Sequence, residues 1–241
     1  MTAPLDAWGL TGTPQSLAGG HRNRVLRVGP HVLKSTRRSE AAVAWLLPVL
    51  DAAASAGFVV APPIRSAAGV LVVEGWTCEP FLPGLPSDVA AVGDRIRAFH
   101  ARARAMPQRP GFAGSQELLV RDQGGDVDLS RMPAPLVREL RAAWAGVAHV
   151  PQGVVHGDLG PGNLLCDADG RYGLIDWDEA RRDLLIFDTG SGAPRDTATA
   201  RAAQAWEIAC CWQIEPGRAR TLARAFLADA PQSKRKGAPK P

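Results

Sequence analysis

Hydrophobic positions change their spacing several times along the chain, and each change marks an element. Between residues 13 and 35, short strand-like runs (Ser16-Leu17-Ala18, Val25-Leu26-Arg27-Val28, His31-Val32-Leu33-Lys34) alternate with the turn-forming stretches Gly19-Gly20-His21-Arg22-Asn23-Arg24 and Gly29-Pro30. A helical period follows over about 39–56, with Pro48 expected to kink it. Residues 70–73 and 76–82 read as another hairpin turning at Glu74-Gly75, and Pro83-Gly84-Leu85-Pro86 ends that pattern. Ser87 can then cap a helix whose apolar residues Val89, Val92, Ile96, Phe99, Ala103 and Met106 recur at steps of three and four. Residues 107–133 lack a period, 136–148 are amphipathic, and two more helices are expected near 197–214 and 217–229, the second entered at Pro216. Strands precede most of the helices, so the class is α+β.

With 241 residues, 46% of them hydrophobic, the chain can bury one sizeable core or two small lobes sharing a cleft. It has no apolar run of the roughly 18 to 20 residues a membrane span needs, and residues 1–15 lack the charged-then-apolar pattern of a secretory signal. The expectation is a soluble, cytoplasmic protein without a membrane partner. Cys78, Cys166, Cys210 and Cys211 show no C-x-x-C or zinc spacing and read as reduced, mostly buried thiols. The net charge of +4 resides in Lys234, Arg235, Lys236 and Lys240, in a Pro/Gly-containing tail at 231–241 expected to be disordered. The remainder balances 24 basic against 24 acidic residues, so no nucleic-acid partner is expected.

The densest chemistry lies in His156-Gly157-Asp158-Leu159-Gly160-Pro161-Gly162-Asn163 and in Ile175-Asp176-Trp177. Phosphoryl transfer to a hydroxyl needs an acid to take or orient the acceptor proton and oxygen ligands for Mg²⁺, and the loop H-x-D-x-x-x-x-N supplies both at the spacing of Asp158 and Asn163. The turn Asp167-Ala168-Asp169-Gly170 joins Leu164-Leu165-Cys166 to 172–175 as a β-hairpin, which brings Asn163 and Asp176 to one end. His156 is expected to brace the loop, and His100, on an apolar helix face, to be packed. Composition singles out Lys34. It is the only lysine before the tail in a chain whose other basic residues up to that point are arginines, and it ends the third strand.

Residues 153–188 resemble the aminoglycoside phosphotransferase and choline kinase branch of the protein-kinase-like fold, whose members often carry H-G-D-L-x-x-x-N and I-D-W. The resemblance implies a bilobal fold: an N-lobe at 1–82 that binds nucleotide, a hinge at about 79–84, a mainly helical C-lobe at 83–230, and the tail. It implies Mg²⁺ and ATP between the lobes, with Asp158 as the catalytic carboxylate facing the acceptor hydroxyl, Asn163 and Asp176 on the metal, and Lys34 on the phosphates. It also implies Glu40, in the first turn of the next helix, as the acid paired with Lys34. Gly19 and Gly20 occupy the place of the phosphate-covering loop, and Glu79 and Phe81 that of the hinge that binds adenine through backbone groups. The acceptor is expected to be a small hydroxyl compound such as an antibiotic, a sugar or an amino alcohol. Eight acids against seven arginines over 177–230 give no acidic excess for a polycation.

Three rival readings fit less well. A protein kinase would carry lysine at Gly160 and needs more chain than the 65 residues after Asp176. A catalytically silent nucleotide-binding protein would more often have lost one of Lys34, Asp158, Asn163 or Asp176. A metal hydrolase lacks a second nearby histidine and leaves Lys34 without a role.

Overall fold

A computed structural model describes residues 2–17, 23–188 and 197–229. The Gly19-Gly20 loop and the 231–241 tail lie outside them. Packing divides the chain into two compact units, Met1–Gly114 with Val150–Pro194, and Ser115–His149 with Arg195–Pro241.

The first unit opens with an antiparallel sheet in the order β1 (Gln15–Ser16), β2 (Val25–Val28), β3 (His31–Ser35), β4 (Trp76–Pro80). Between β3 and β4 lie α1 (Glu40–Ala44) and α2 (Leu46–Ser55). Ser39 caps α1 by accepting the Ala42 N–H at 3.2 Å. The expected kink is a break at Trp45, because Pro48 has no N–H to offer Ala44 and its ring crowds that carbonyl. Glu74 (φ 49°) and Gly75 (φ 75°) make the tight turn before β4, but 70–73 forms no strand beyond a bridge between Val73 and Trp76. The Leu71 and Val72 N–H groups are taken by the Glu40 carboxylate at 2.9–3.0 Å, which diverts the donors a ladder would use.

The break at 83–86 includes a short strand, β5 (Leu85–Pro86), leading through a 3-10 turn into α3 (Gly93–Ala103). Asp88, not Ser87, caps this turn by accepting the Ala90 N–H at 3.0 Å, and the Ser87 N–H goes to Leu164 O. Beyond the second unit's β6 (Gln123–Gly124), β7 (Val127–Asp128) and α4 (Ala134–Ala145), the first unit resumes with β8 (Gln152–Val155), β9 (Leu164–Cys166), β10 (Tyr172–Leu174) and β11 (Arg181–Leu184). The expected hairpin is present: Leu164 pairs with Leu174 and Cys166 with Tyr172, and β5 lies on the other edge of β9. Gly84 permits that approach, because a Cβ there would stand 2.9 Å from Leu165 Cβ and 3.0 Å from Cys166 O. β8 pairs antiparallel with β11, setting Val155 opposite Arg181. The segments on either side, 156–158 and 176–180, therefore emerge together.

Leu46, Val49 and Leu50 of α2, Ile96 and Phe99 of α3, and Val154, Leu164, Leu174 and Trp177 share one buried cluster under these strands. The apolar spacing of α3 is thus a core face. In the second unit α4, α5 (Thr197–Cys211) and α6 (Pro216–Ala228) pack together, with the Trp144 and Trp206 rings 6.1 Å apart. All four cysteines are free thiols, three of them buried. Among the described residues no helix is long and apolar enough to cross a membrane.

Candidate active site

The His156-Gly157-Asp158 loop is fixed from below by a buried carboxylate. Asp188 accepts the main-chain N–H of His156 (2.7 Å) and of Gly157 (2.9 Å) and pairs with His100 Nε2 at 2.9 Å. Burial alone would raise the Asp188 carboxyl, but the hydrogen bonds from His100 and Gly157 hold it below the usual carboxylate range. Gly157 has φ +85°, and a Cβ there would meet Glu179 O and the Arg181 guanidinium at 2.6 Å each. The glycine of this tripeptide is therefore a steric requirement. His156 accepts the Asp158 N–H at Nδ1 (3.3 Å) and faces Ile175 O with Nε2 (2.8 Å), partners that assign its proton to Nε2. Its ring rests on Trp177, centroids 4.6 Å apart. It braces the loop, as its position in the sequence suggested.

Asp158 is exposed at the loop's tip. Asn163 donates from Nδ2 to Asp158 O (2.8 Å) and Oδ2 (3.0 Å), which leaves its Oδ1 as the oxygen that can accept or ligate. The Ile175 N–H bonds Asn163 O at 3.0 Å and so sets Asp176 beside Asn163. Asp176 is one of two non-glycine residues with positive φ among those described (61°), a strained turn of the kind that clusters at functional sites. Its side chain is 44% exposed, open enough to reach a ligand.

The turn after Asp176 is held by Arg109, whose guanidinium is buried among carbonyl oxygens. It donates to Ala42 O of α1 (3.0 Å) and to Trp177 O, Asp178 O and Ala180 O (3.2, 2.8 and 3.1 Å), and stacks on Phe112 with its carbon 4.4 Å from the ring centroid. Five donors in a rigid plane suit this task; a lysine could not span it. Asp178 binds Arg38 through both oxygens, at 3.1 and 2.9 Å. Burial would raise its carboxyl, and Arg38 and Arg109 keep it low.

Lys34 Nζ lies 2.8 Å from Glu79 Oε1 and 3.7 Å from Asp176 Oδ1. A cavity of about 50 Å³, room for a few waters, runs beside Lys34, Thr77, Glu79 and Asp176. Burial opposes charge on Lys34, yet Glu79 and Asp176 more than compensate and hold its pKa above that of a free lysine. Glu79 shifts the other way in effect: burial and the neighbouring Asp176 and Asp178 raise it, and the single ammonium offsets only part of that.

Three expectations are corrected here. Glu40 does not meet Lys34, because both its oxygens accept the Leu71 and Val72 N–H groups, with Arg65 at 3.9 Å. Glu79 meets Lys34 with its side chain. Phe81 donates its N–H to Pro30 O (2.8 Å), and its ring lies under Arg27, 3.8 Å away. Backbone groups alternate sides along a strand, and Cys78 O on the outer side of β4 accepts the Ile64 N–H. The outward backbone group that follows on β4 is thus Pro80 C=O, not those of Glu79 or Phe81. Arg109, Asp188 and its partner His100 went unrecognised in the sequence as supports of this site.

The family described as the phosphotransferase enzyme family matches residues 13–224. Among solved structures, aminoglycoside phosphotransferase APH(4)-Ia is 14% identical over 94% of this chain and 97% of its own, with a TM-score of 0.61. Amicoumacin kinase hAmiN, solved with AMP-PNP, Ca²⁺ and Ami, is 17% identical over 93% and 74%, at 0.57. Macrolide 2'-phosphotransferase MphH from Brachybacterium faecium is 18% identical over 95% and 97%, at 0.51. At such identities the likeness is one of fold, and that fold is the protein-kinase-like one. No curated protein sequence matches the chain.

Proposed function

We propose, from the premise that the chain belongs to the phosphotransferase enzyme family, that it moves the γ-phosphate of ATP to a hydroxyl of a small molecule. The observation that carries this is the convergence of Asp158, Asn163 and Asp176 at one end of the β9–β10 hairpin, with the Lys34 ammonium 3.7 Å from Asp176. The acceptor oxygen attacks the γ-phosphorus, the bond to the bridging oxygen breaks and ADP leaves. The hydroxyl proton passes to the exposed Asp158 carboxylate, which Asn163 Nδ2 orients. Such a transfer asks mainly for positioning and charge neutralisation, which these groups supply without a covalent nucleophile.

The donor set suits a hard divalent cation: one carboxylate from Asp176 and, because the Asn163 amide nitrogen is committed to Asp158, one amide oxygen. Mg²⁺ held there would neutralise charge on the β- and γ-phosphates. Lys34 would meet the phosphates, and Pro80 C=O, on the outer side of β4, would accept from adenine. Antibiotics, sugars and amino alcohols are the acceptor classes to test.

Asp176→Ala should weaken Mg²⁺-dependent ATP binding more than Asn163→Ala does, since the carboxylate carries the charge. Calorimetry with and without Mg²⁺ checks this, and ADP release against a panel of hydroxyl compounds then identifies the acceptor. Mg²⁺-independent binding, equal in wild type and Asp176→Ala, would refute a phosphotransferase site here.

A further inference from the structure

Lys34 is only partly exposed, and an ammonium drawn largely out of water must be aimed by whatever carboxylate accompanies it. The helix acid Glu40 is engaged elsewhere, its two oxygens on the Leu71 and Val72 N–H groups. Glu79 stands in its stead, 2.8 Å from Nζ, with side chains of 16% and 18% exposure. The register explains the meeting. Val32 faces Glu79 and Lys34 faces Thr77 across β3 and β4, so Lys34 and Glu79 are diagonal neighbours on one face of the sheet.

Resting on the phosphotransferase reading above, we infer that Glu79 is the residue that positions Lys34 for the nucleotide phosphates, and that Glu40 serves only the 71–72 segment. The pair is made within one sheet, so the aim of Lys34 does not depend on how α1 docks. Where a helix acid holds the lysine, movement of that helix can switch the site; a pair made within one sheet offers no such handle. Glu79 is also the residue before Pro80, so the same short stretch of β4 aims the ammonium and leads into the outward Pro80 C=O.

The test compares Glu79→Gln, the shorter acid Glu79→Asp, and Glu40→Gln in the full chain. Its first arm needs no nucleotide. Lys34 is the only lysine outside 231–241, so its acylation by an amine-reactive reagent can be followed by peptide mass spectrometry, well below each variant's unfolding midpoint. Glu79→Gln should speed acylation severalfold, Glu79→Asp less, and Glu40→Gln not at all. The second arm is ATP affinity and the KM for ATP: about tenfold weaker in Glu79→Gln, the scale of one charge-assisted contact, partly restored in Glu79→Asp and unchanged in Glu40→Gln, whose loss is in thermal stability. Faster acylation and weaker ATP binding in Glu40→Gln, with neither in Glu79→Gln, overturn the inference. A wild type that fails to bind ATP refutes the phosphotransferase reading, while the acylation arm still decides between the two glutamates.

Discussion

Asp158→Asn is expected to lose roughly 10²- to 10⁴-fold in turnover, the scale of a positioned base, while binding ATP as tightly as the wild type. Asp158 lies at the tip of the loop, its carboxylate touched by Asn163 Nδ2 at 3.0 Å, and the groups proposed for the nucleotide are Lys34 and Asp176, not Asp158. An amide at this position still offers an oxygen to Asn163, so the loop keeps its shape and stability should move by no more than about 0.5 kcal/mol. What disappears is the capacity to accept the acceptor's proton. Turnover with an identified acceptor, calorimetric ATP affinity and the unfolding midpoint together separate this from a general defect. Near-wild-type turnover would remove Asp158 from the chemistry; a parallel loss of ATP affinity would place it on the nucleotide instead.

What could be read from the sequence was whatever is local. The β9–β10 hairpin is legible because its turn is self-contained: Asp167 accepts the N–H groups of Asp169 and Arg171 within five residues. Asp158 and Asn163 are legible because their spacing is a loop's own geometry, and α3 because its apolar residues repeat. The identity of the partner of Lys34 was not, since it depends on the register between β3 and β4, strands separated by two helices and a long loop. The glutamate nearest in sequence was a reasonable choice and lost to two backbone N–H groups that needed an acceptor. Those same bonds explain the missing strand at 70–73. Arg109 was hidden by being one of many arginines, and the oxygens it holds on Ala42, Trp177, Asp178 and Ala180 are main-chain ones, which leave no trace in composition. The hinge lay between these cases. Alternation along β4 is legible in the sequence, but the side that faces outward is set by Ile64, whose N–H bonds Cys78 O.

Asp188 is the clearest example of a support invisible in the sequence, since its partners His100 and His156 lie 88 and 32 residues away, and it should be the costliest to remove. In Asp188→Asn an amide nitrogen must point at one of two backbone donors, the His156 or the Gly157 N–H, whichever way the side chain is turned. One buried N–H is then left facing another, and the charge-assisted character of the remaining bonds is lost, together about 3 kcal/mol. For a chain of this length that corresponds to roughly 6–12 °C in the unfolding midpoint. Turnover should also fall, although Asp188 faces the loop backbone and not its reacting groups, because Asp158 is presented by the loop that Asp188 holds. The pH dependence distinguishes this from ordinary packing loss. With a folded pKa below its unfolded value, Asp188 contributes stability that is fully present above the unfolded carboxylate range, about pH 4, and is lost as pH falls through the folded pKa. Thermal unfolding of wild type between neutral and acid pH should therefore show a decline that is shallower in Asp188→Asn, the two curves converging as acid removes from the wild type what the substitution has already removed. Parallel curves at every pH, or a variant as stable as the wild type, would mean that His156 and Gly157 are held by something other than the Asp188 charge.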